Sequence, residues 1–260
     1  MSLICLASAK GSPGVTTTAL GLAAALPTDD DRHKLLLEAD RAGGALAIWY
    51  QLGRQPGLVT LAAAGRHGLT RTDLWNHAQE LPGGLPVVAS PERADRTSSI
   101  LDTSGARLGR WLAELPDVTT IADCGRLTPT SDTLVEQADL VLLAARPVAE
   151  QIHPGAALLD NLASNGRSVA WLLIGSTPHP AEEVERVTGH SVARVLPNDA
   201  ATAEALVAGG VKGRLARRPL VREIAAFAQD LAAHTTIEAQ PAEAAPTTNQ
   251  VPTPAMETVG

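Results

Sequence analysis

The chain has 260 residues and a formal net charge of -7, so it can bury one substantial core and presents no overall polyanion-binding surface. Four Trp, one Tyr and one Phe are too few for the stacking platforms of single-stranded nucleic acid, and the core must come from Leu, Val, Ile and Ala. Cys5 and Cys124 lack C-x-x-C or metal spacing, which predicts free thiols in a reducing, cytoplasmic setting, and neither a leader peptide nor a membrane-length apolar run is visible.

In chain order, short apolar runs alternate with helix-like segments. Leu3 to Ala7 reads as a buried strand, and Ala19 to Leu26, closed by Pro27, as a helix. Between them runs Ser8-Ala9-Lys10-Gly11-Ser12-Pro13-Gly14-Val15-Thr16-Thr17-Thr18. A strand, a glycine-bearing turn and a helix opening on hydroxyls make an anion-binding device, because the free N–H groups and positive dipole end of the helix face the loop. Its usual occupant is a phosphate. Lys34 to Glu38 is a second strand, ending in acid at Glu38 and Asp40. Arg41 to Gly53 is a loop running into a short helix, and Gly57 to Ala64 fits strand or helix. Thr72 to Leu81 suits a helix capped by Thr72, followed by a strand over Leu85 to Ser90. Asp95 to Leu115 has helical spacing. Val118 to Asp123 is a strand leading into Cys124-Gly125, and Leu140 to Ala145 is the most apolar strand. A helix from Pro147 to Leu162, strands over Val169–Gly175 and Ser191–Leu196, and helices over Ala200–Val207 and Pro219–Ala233 complete the series.

This alternation implies an α/β fold, a mainly parallel sheet flanked by helices on both faces, over residues 1–238. The Pro-, Ala- and Thr-rich stretch 239–260 has too little apolar content to fold. Ligands of such sheets sit beyond the carboxyl ends of the strands. Gly11 to Gly14, Asp40 and Asp123-Cys124-Gly125 all fall at such ends.

The ordinary phosphate loop reads G-x-x-x-x-G-K-[ST]. Aligned on Gly14 and Thr16, this chain has Ala9 at the first glycine and Val15 at the lysine. Lys10, Gly11, Gly14, Thr16 and Thr17 resemble the K-G-G-x-G-K-T-T loop of the MinD/ParA family of deviant Walker-A ATPases. The resemblance covers most of residues 1–235. Glu38-Ala39-Asp40 is similar to the family's D-x-D, and Asp123-Cys124-Gly125 to a shortened switch II after the Walker-B strand. Arg146-Pro147 resembles the T-P-E step, and Pro197-Asn198-Asp199 the P-x-D segment along the adenine. Among the branches, the chain looks closest to CpaE/TadZ-like and actinobacterial MinD-like proteins, which are associated with pilus, secretion or polar-positioning machinery.

The resemblance implies ATP and Mg²⁺ as cofactors. Lys10, Gly11, Ser12, Pro13, Gly14, Val15, Thr16, Thr17, Pro197 and Asp199 would surround the nucleotide, and Thr16, Asp40 and Asp123 the Mg²⁺. Asp40 would orient the attacking water, and Lys10 would reach the nucleotide, in its own subunit or across a homodimer. It also implies ATP-dependent dimerisation and a protein partner such as a secretion or pilus ATPase, with peripheral recruitment to the membrane or pole through that partner. Losing the Walker lysine to Val15 removes a charge-assisted hydrogen bond of roughly 1.5–3 kcal/mol, or about 10- to 150-fold in affinity. Turnover loses more, since that charge matters most in the transition state. Nucleotide binding with weak or absent hydrolysis is the expectation.

Two other readings stay open. One is a non-catalytic scaffold that keeps only the fold and dimer surface. The other is a Rossmann-type dinucleotide-binding domain, for which Gly11, Gly14 and an acid about 25 residues later meet part of the fingerprint while the third glycine is absent. Arg93, Arg96, Arg107 and Arg110 read as a solvated helix face, as do Lys212-Gly213-Arg214 and Arg217-Arg218, with a DNA patch as the sharper alternative. The seven histidines have no metal spacing, and no G-x-S-x-G serine elbow occurs.

Overall fold

Near-continuous apolar strands have no face that tolerates water, so both sides of their sheet must be covered. The computed structural model, which describes residues 1–10, 13–29, 32–127, 132–208 and 215–238, shows how. The elements run β1 (Leu3–Ser8), α1 (Val15–Ala25), β2 (His33–Glu38), α2 (Leu46–Trp49), α3 (Leu58–Ala64), α4 (Arg71–Asn76), β3 (Gln79–Leu81), β4 (Leu85–Val88) and α5 (Ala94–Ala113). They continue with β5 (Val118–Arg126), β6 (Leu140–Ala145), α6 (Ala149–Ser164), β7 (Val169–Ile174), α7 (Ala181–Thr188), β8 (Val192–Leu196), α8 (Ala200–Val207) and α9 (Pro219–Glu238). One eight-stranded sheet has the order β3-β4-β2-β5-β1-β6-β7-β8, parallel throughout except for β3 against β4. Gly11, Ser12, Lys212, Gly213, Arg214 and the stretch 239–260 lie outside the described residues.

Period-two alternation decides which helix each side chain meets. In β1, Leu3, Cys5 and Ala7 join one core with Leu61 of α3, Leu74 of α4, Leu108 of α5, Leu159 of α6 and Val184 of α7. Ile4 and Leu6 point the other way, toward Ala19 and Leu22 of α1, Leu206 of α8 and Ile224 and Phe227 of α9. A fully buried Leu or Ile contributes about 1.5–3 kcal/mol. A one-residue slip of β1 would exchange the two sets and misfit both layers. Trp171 of β7 is fully buried, and α6 can cover it because position 155 is glycine; a Cβ there would fall inside the indole ring.

β1 sits between β5 and β6, and the chain leaves it toward β2 on one side before returning through β5 and crossing to β6 on the other. This reversal opens a crevice beyond the carboxyl end of β1, where α/β sheets bind ligands.

Several element boundaries depart from the sequence reading. The helix expected over Thr72–Leu81 is instead α4, capped by Thr70, and it stops at Asn76. Thr70 and Asp73 form the capping box, with Asp73 N–H donating to Thr70 Oγ1 at 3.3 Å and Thr70 N–H to Asp73 Oδ2 at 2.7 Å. Gln79–Leu81 then leaves the helix as β3. Gln79 straps the neighbouring loop, its Nε2 donating to the carbonyls of Gly53 (2.8 Å) and Pro56 (2.6 Å) and its Oε1 accepting from Gly53 N–H (2.9 Å). The ambiguous Gly57–Ala64 is helix α3, and α9 extends to Glu238. Helix α7, unforeseen, is bounded by Pro180 and by Gly189 at φ 73°. No helix among the described residues is long and apolar enough to cross a membrane.

Candidate functional site

The turn after β1 enters α1 through Gly14, whose φ of 92° puts it in the left-handed region. A Cβ there would meet nothing within 4 Å, so backbone handedness and not space calls for glycine. Thr18 N–H donates to Gly14 carbonyl at 2.9 Å and closes the first turn. No described side chain caps α1 and no acid lies in its first turn, which leaves its leading amides free for an anion. Val15 turns away from this site. It is 6% exposed and packs with Ile4, Leu6 and Ala19, so the position of the usual lysine belongs to the core.

On the β5 side, Glu38 at the end of β2 and Asp123 within β5 are register partners, and each is 1% exposed. Glu38 is fully engaged. Its Oε1 accepts from the N–H groups of Ala45 (2.7 Å) and Leu46 (2.9 Å), and its Oε2 from Ser90 N–H (2.9 Å). Burial raises its pKa, and these three amides oppose the rise. The loop passes this close because position 44 is glycine; a Cβ would run into Glu38 Oε2 and lie 2.6 Å from the Ser90 carbonyl.

Asp123 is differently placed. Oδ1 accepts from Gly125 N–H at 3.1 Å, while the buried Oδ2 has no hydrogen-bond partner. Burial pushes its pKa up to about 7. The Thr16 hydroxyl and Gly125 N–H favour the charged form, and the charges of Asp40 and Glu38 oppose it. Asp40 Oδ1 accepts from Ala42 N–H at 2.8 Å, and its carboxyl packs where a Cβ on Gly125 would stand. Gly125, at φ 58°, is thus the hinge that lets two acidic strand ends meet. Arg41 ties the same loop outward, with Nε to Asp132 at 3.0 Å and Nη1 to Asp102 at 2.6 Å.

Thr16, Asp40 and Asp123 are therefore brought together. A hydroxyl and two carboxylates, one with an unpartnered buried oxygen, are hard donors, and they fit Mg²⁺, which takes few protein ligands and fills its octahedron with water and phosphate. Among the described residues no cluster of three or more His, Cys, Asp or Glu could enclose a metal by itself.

On the β6 side, a cavity of about 140 Å³ joins Pro13, Gly14 and Thr17 to Arg146, Pro197 and Asp199. Asp199 caps α8 through Thr202 N–H at 3.0 Å, so it shapes this wall with its carboxylate already engaged. Lys10 is exposed at the end of β1 and is not part of this lining. Sequence reasoning put Pro197 and Asp199 along a nucleotide, and both line the cavity beside the loop. It missed the Glu38 clamp, for which a carboxylate followed by Gly43-Gly44 was the available signal.

No protein-family model matches the chain, and no curated protein matches it in sequence. Solved structures do match in fold. A ParA family ATPase from Chlorobium tepidum superposes with a TM-score of 0.73 at 19% identity, covering 88% of this chain and 98% of that one. The septum site-determining protein MinD of Pyrococcus horikoshii, complexed with Mg-ADP, gives 0.70 at 16%, covering 92% and 99%. MinD in the MinC:MinD complex of Aquifex aeolicus gives 0.64 at 16%, covering 94% and 99%. The fold is that of the MinD/ParA P-loop ATPases.

Proposed function

We propose that this chain is a MinD/ParA-like nucleotide-binding protein with a degenerate Walker A loop, which dimerises to position or regulate a partner machinery while hydrolysing ATP weakly or not at all. The observation that carries the reading is the pairing of uncapped amides at the start of α1 with the orphaned Asp123 Oδ2 beside Thr16. In this reading the amides from Gly14 onward bind the phosphates, Thr16 and Asp123 hold Mg²⁺, and Asp40 orients water. Bound Mg²⁺ supplies charge neutralisation at the phosphates. Val15, sunk in the core, contributes no charge, which accounts for weak turnover. Lys10, exposed and outside the cavity lining, is free to reach a second copy of the chain.

The solved MinC:MinD complex supports a protein partner, and pilus, secretion, partition or polar-localisation machinery are the classes we assign. The setting is cytoplasmic, with any membrane recruitment through that partner.

The test is calorimetric titration with Mg-ATP, light scattering with and without it, and turnover of the natural protein against Val15→Lys. We expect saturable binding, an ATP-dependent rise in mass, and at least a tenfold gain in turnover for the lysine variant. Failure of both proteins to bind Mg-ATP, with melting curves showing both folded, overturns the reading. A non-catalytic scaffold is the second reading, favoured by the cavity's about 140 Å³ against the 300–1,000 Å³ or so typical of small-molecule sites. Binding of Mg-ATP by the natural protein separates the two.

A further inference from the structure

Arg146 carries the inference, and it rests on the nucleotide reading above. A polyphosphate brought against bare amides needs cationic compensation beyond Mg²⁺, and the side chain at position 15 is an apolar one committed to the core. Of the described residues lining the cavity beside the loop, Arg146 is the one cation. The one carboxylate there, Asp199, is held by Thr202 and sits near enough to Arg218 for that charge to favour its ionised form.

The root of Arg146 is fixed. β6 pairs with β1 as far as Ala7 opposite Leu143, and position 146, directly after β6, lines the cavity with Pro13, Gly14 and Thr17. Its N–H donates to Gln151 Oε1 at 2.7 Å, its carbonyl accepts from Val148 N–H at 2.8 Å, and Pro147 behind it is buried. Its head is not: the side chain is exposed, and no described residue offers the guanidinium a hydrogen bond or ion pair. A pinned backbone with an unengaged planar fork is preorganised to receive phosphate oxygens two at a time.

We propose that Arg146 supplies, from the end of β6, the positive charge that the loop lost at Val15, by gripping the phosphates of the bound nucleotide. The site is thus altered in where its cation is anchored. It has not merely lost one.

The test compares Arg146→Gln and Arg146→Lys with the natural protein, measuring affinity for ADP, ATP and adenosine at two salt concentrations. For Arg146→Gln we expect on the order of 10- to 100-fold weaker ADP and ATP binding, unchanged adenosine binding, a shallower salt dependence and an unchanged melting temperature without ligand. Arg146→Lys should recover part of the loss. Undiminished ATP binding by Arg146→Gln overturns the proposal, as does an equal loss for adenosine, which would mark a contact with the base. If neither the natural protein nor Val15→Lys binds any nucleotide, the reading beneath falls and takes this one with it.

Discussion

Glu38 and Asp123 are register partners on adjacent strands, equally buried, and they are bonded in opposite ways. Three backbone amides from two loops converge on Glu38, which makes it a rivet joining the start of α2 to the end of β4. Asp123 receives one amide and keeps an oxygen with no partner. A buried acceptor left open costs stability unless something is meant to fill it. The contrast teaches that burial alone does not mark a functional acid. What sets Asp123 apart as a candidate is hydrogen-bonding capacity to spare.

Glu38→Ala should have the largest effect. It strands three N–H groups at about 1–3 kcal/mol each, so urea denaturation should show a loss of at least roughly 3 kcal/mol. Asp123→Asn should act in the opposite direction. With its pKa raised from 3.8 to about 7, the native carboxyl holds a proton that the unfolded chain releases. Its stabilising contribution is complete below the ordinary carboxylate range and lost as pH rises through about 7. Without divalent cation, the Asn variant should melt above the natural protein at pH 8 and alongside it at pH 4, and its nucleotide binding should lose its Mg²⁺ dependence. If it instead melts lower at pH 8, Asp123 is a second rivet and the contrast fails. Ser90→Ala should be mildest. It removes the 2.6 Å bond from Ser90 Oγ to the Glu38 carbonyl, at about 1 kcal/mol, and should leave the Mg²⁺ dependence untouched.

The sheet was largely legible because its strands are apolar runs with no other home, and Leu140–Ala145 is read to the residue. Legibility ended where side-chain pattern stopped carrying the signal. Gln79-Glu80-Leu81 is too short and polar to announce a strand, and the capping box at Thr70 was displaced by two residues onto Thr72. Helix α7 is eight residues long and mostly polar and buries only Val184, too short a run to stand out as a core-facing helix. At the candidate site, Gly14, Thr16, Asp40 and Asp123 were singled out by type and order. The partners of Glu38 are backbone amides, identical at nearly every position, and leave no trace in the sequence. The freedom of Arg146 is likewise an absence of bonding partners for its guanidinium among the described residues, visible only once those are placed.

Strand β3 offers its outer rim for three residues only, and Gln79 within it holds the 53–56 loop by its side chain. An exposed strand edge is the usual template for runaway stacking of one chain's backbone on another's. That flank is too brief and too obstructed to seed such growth.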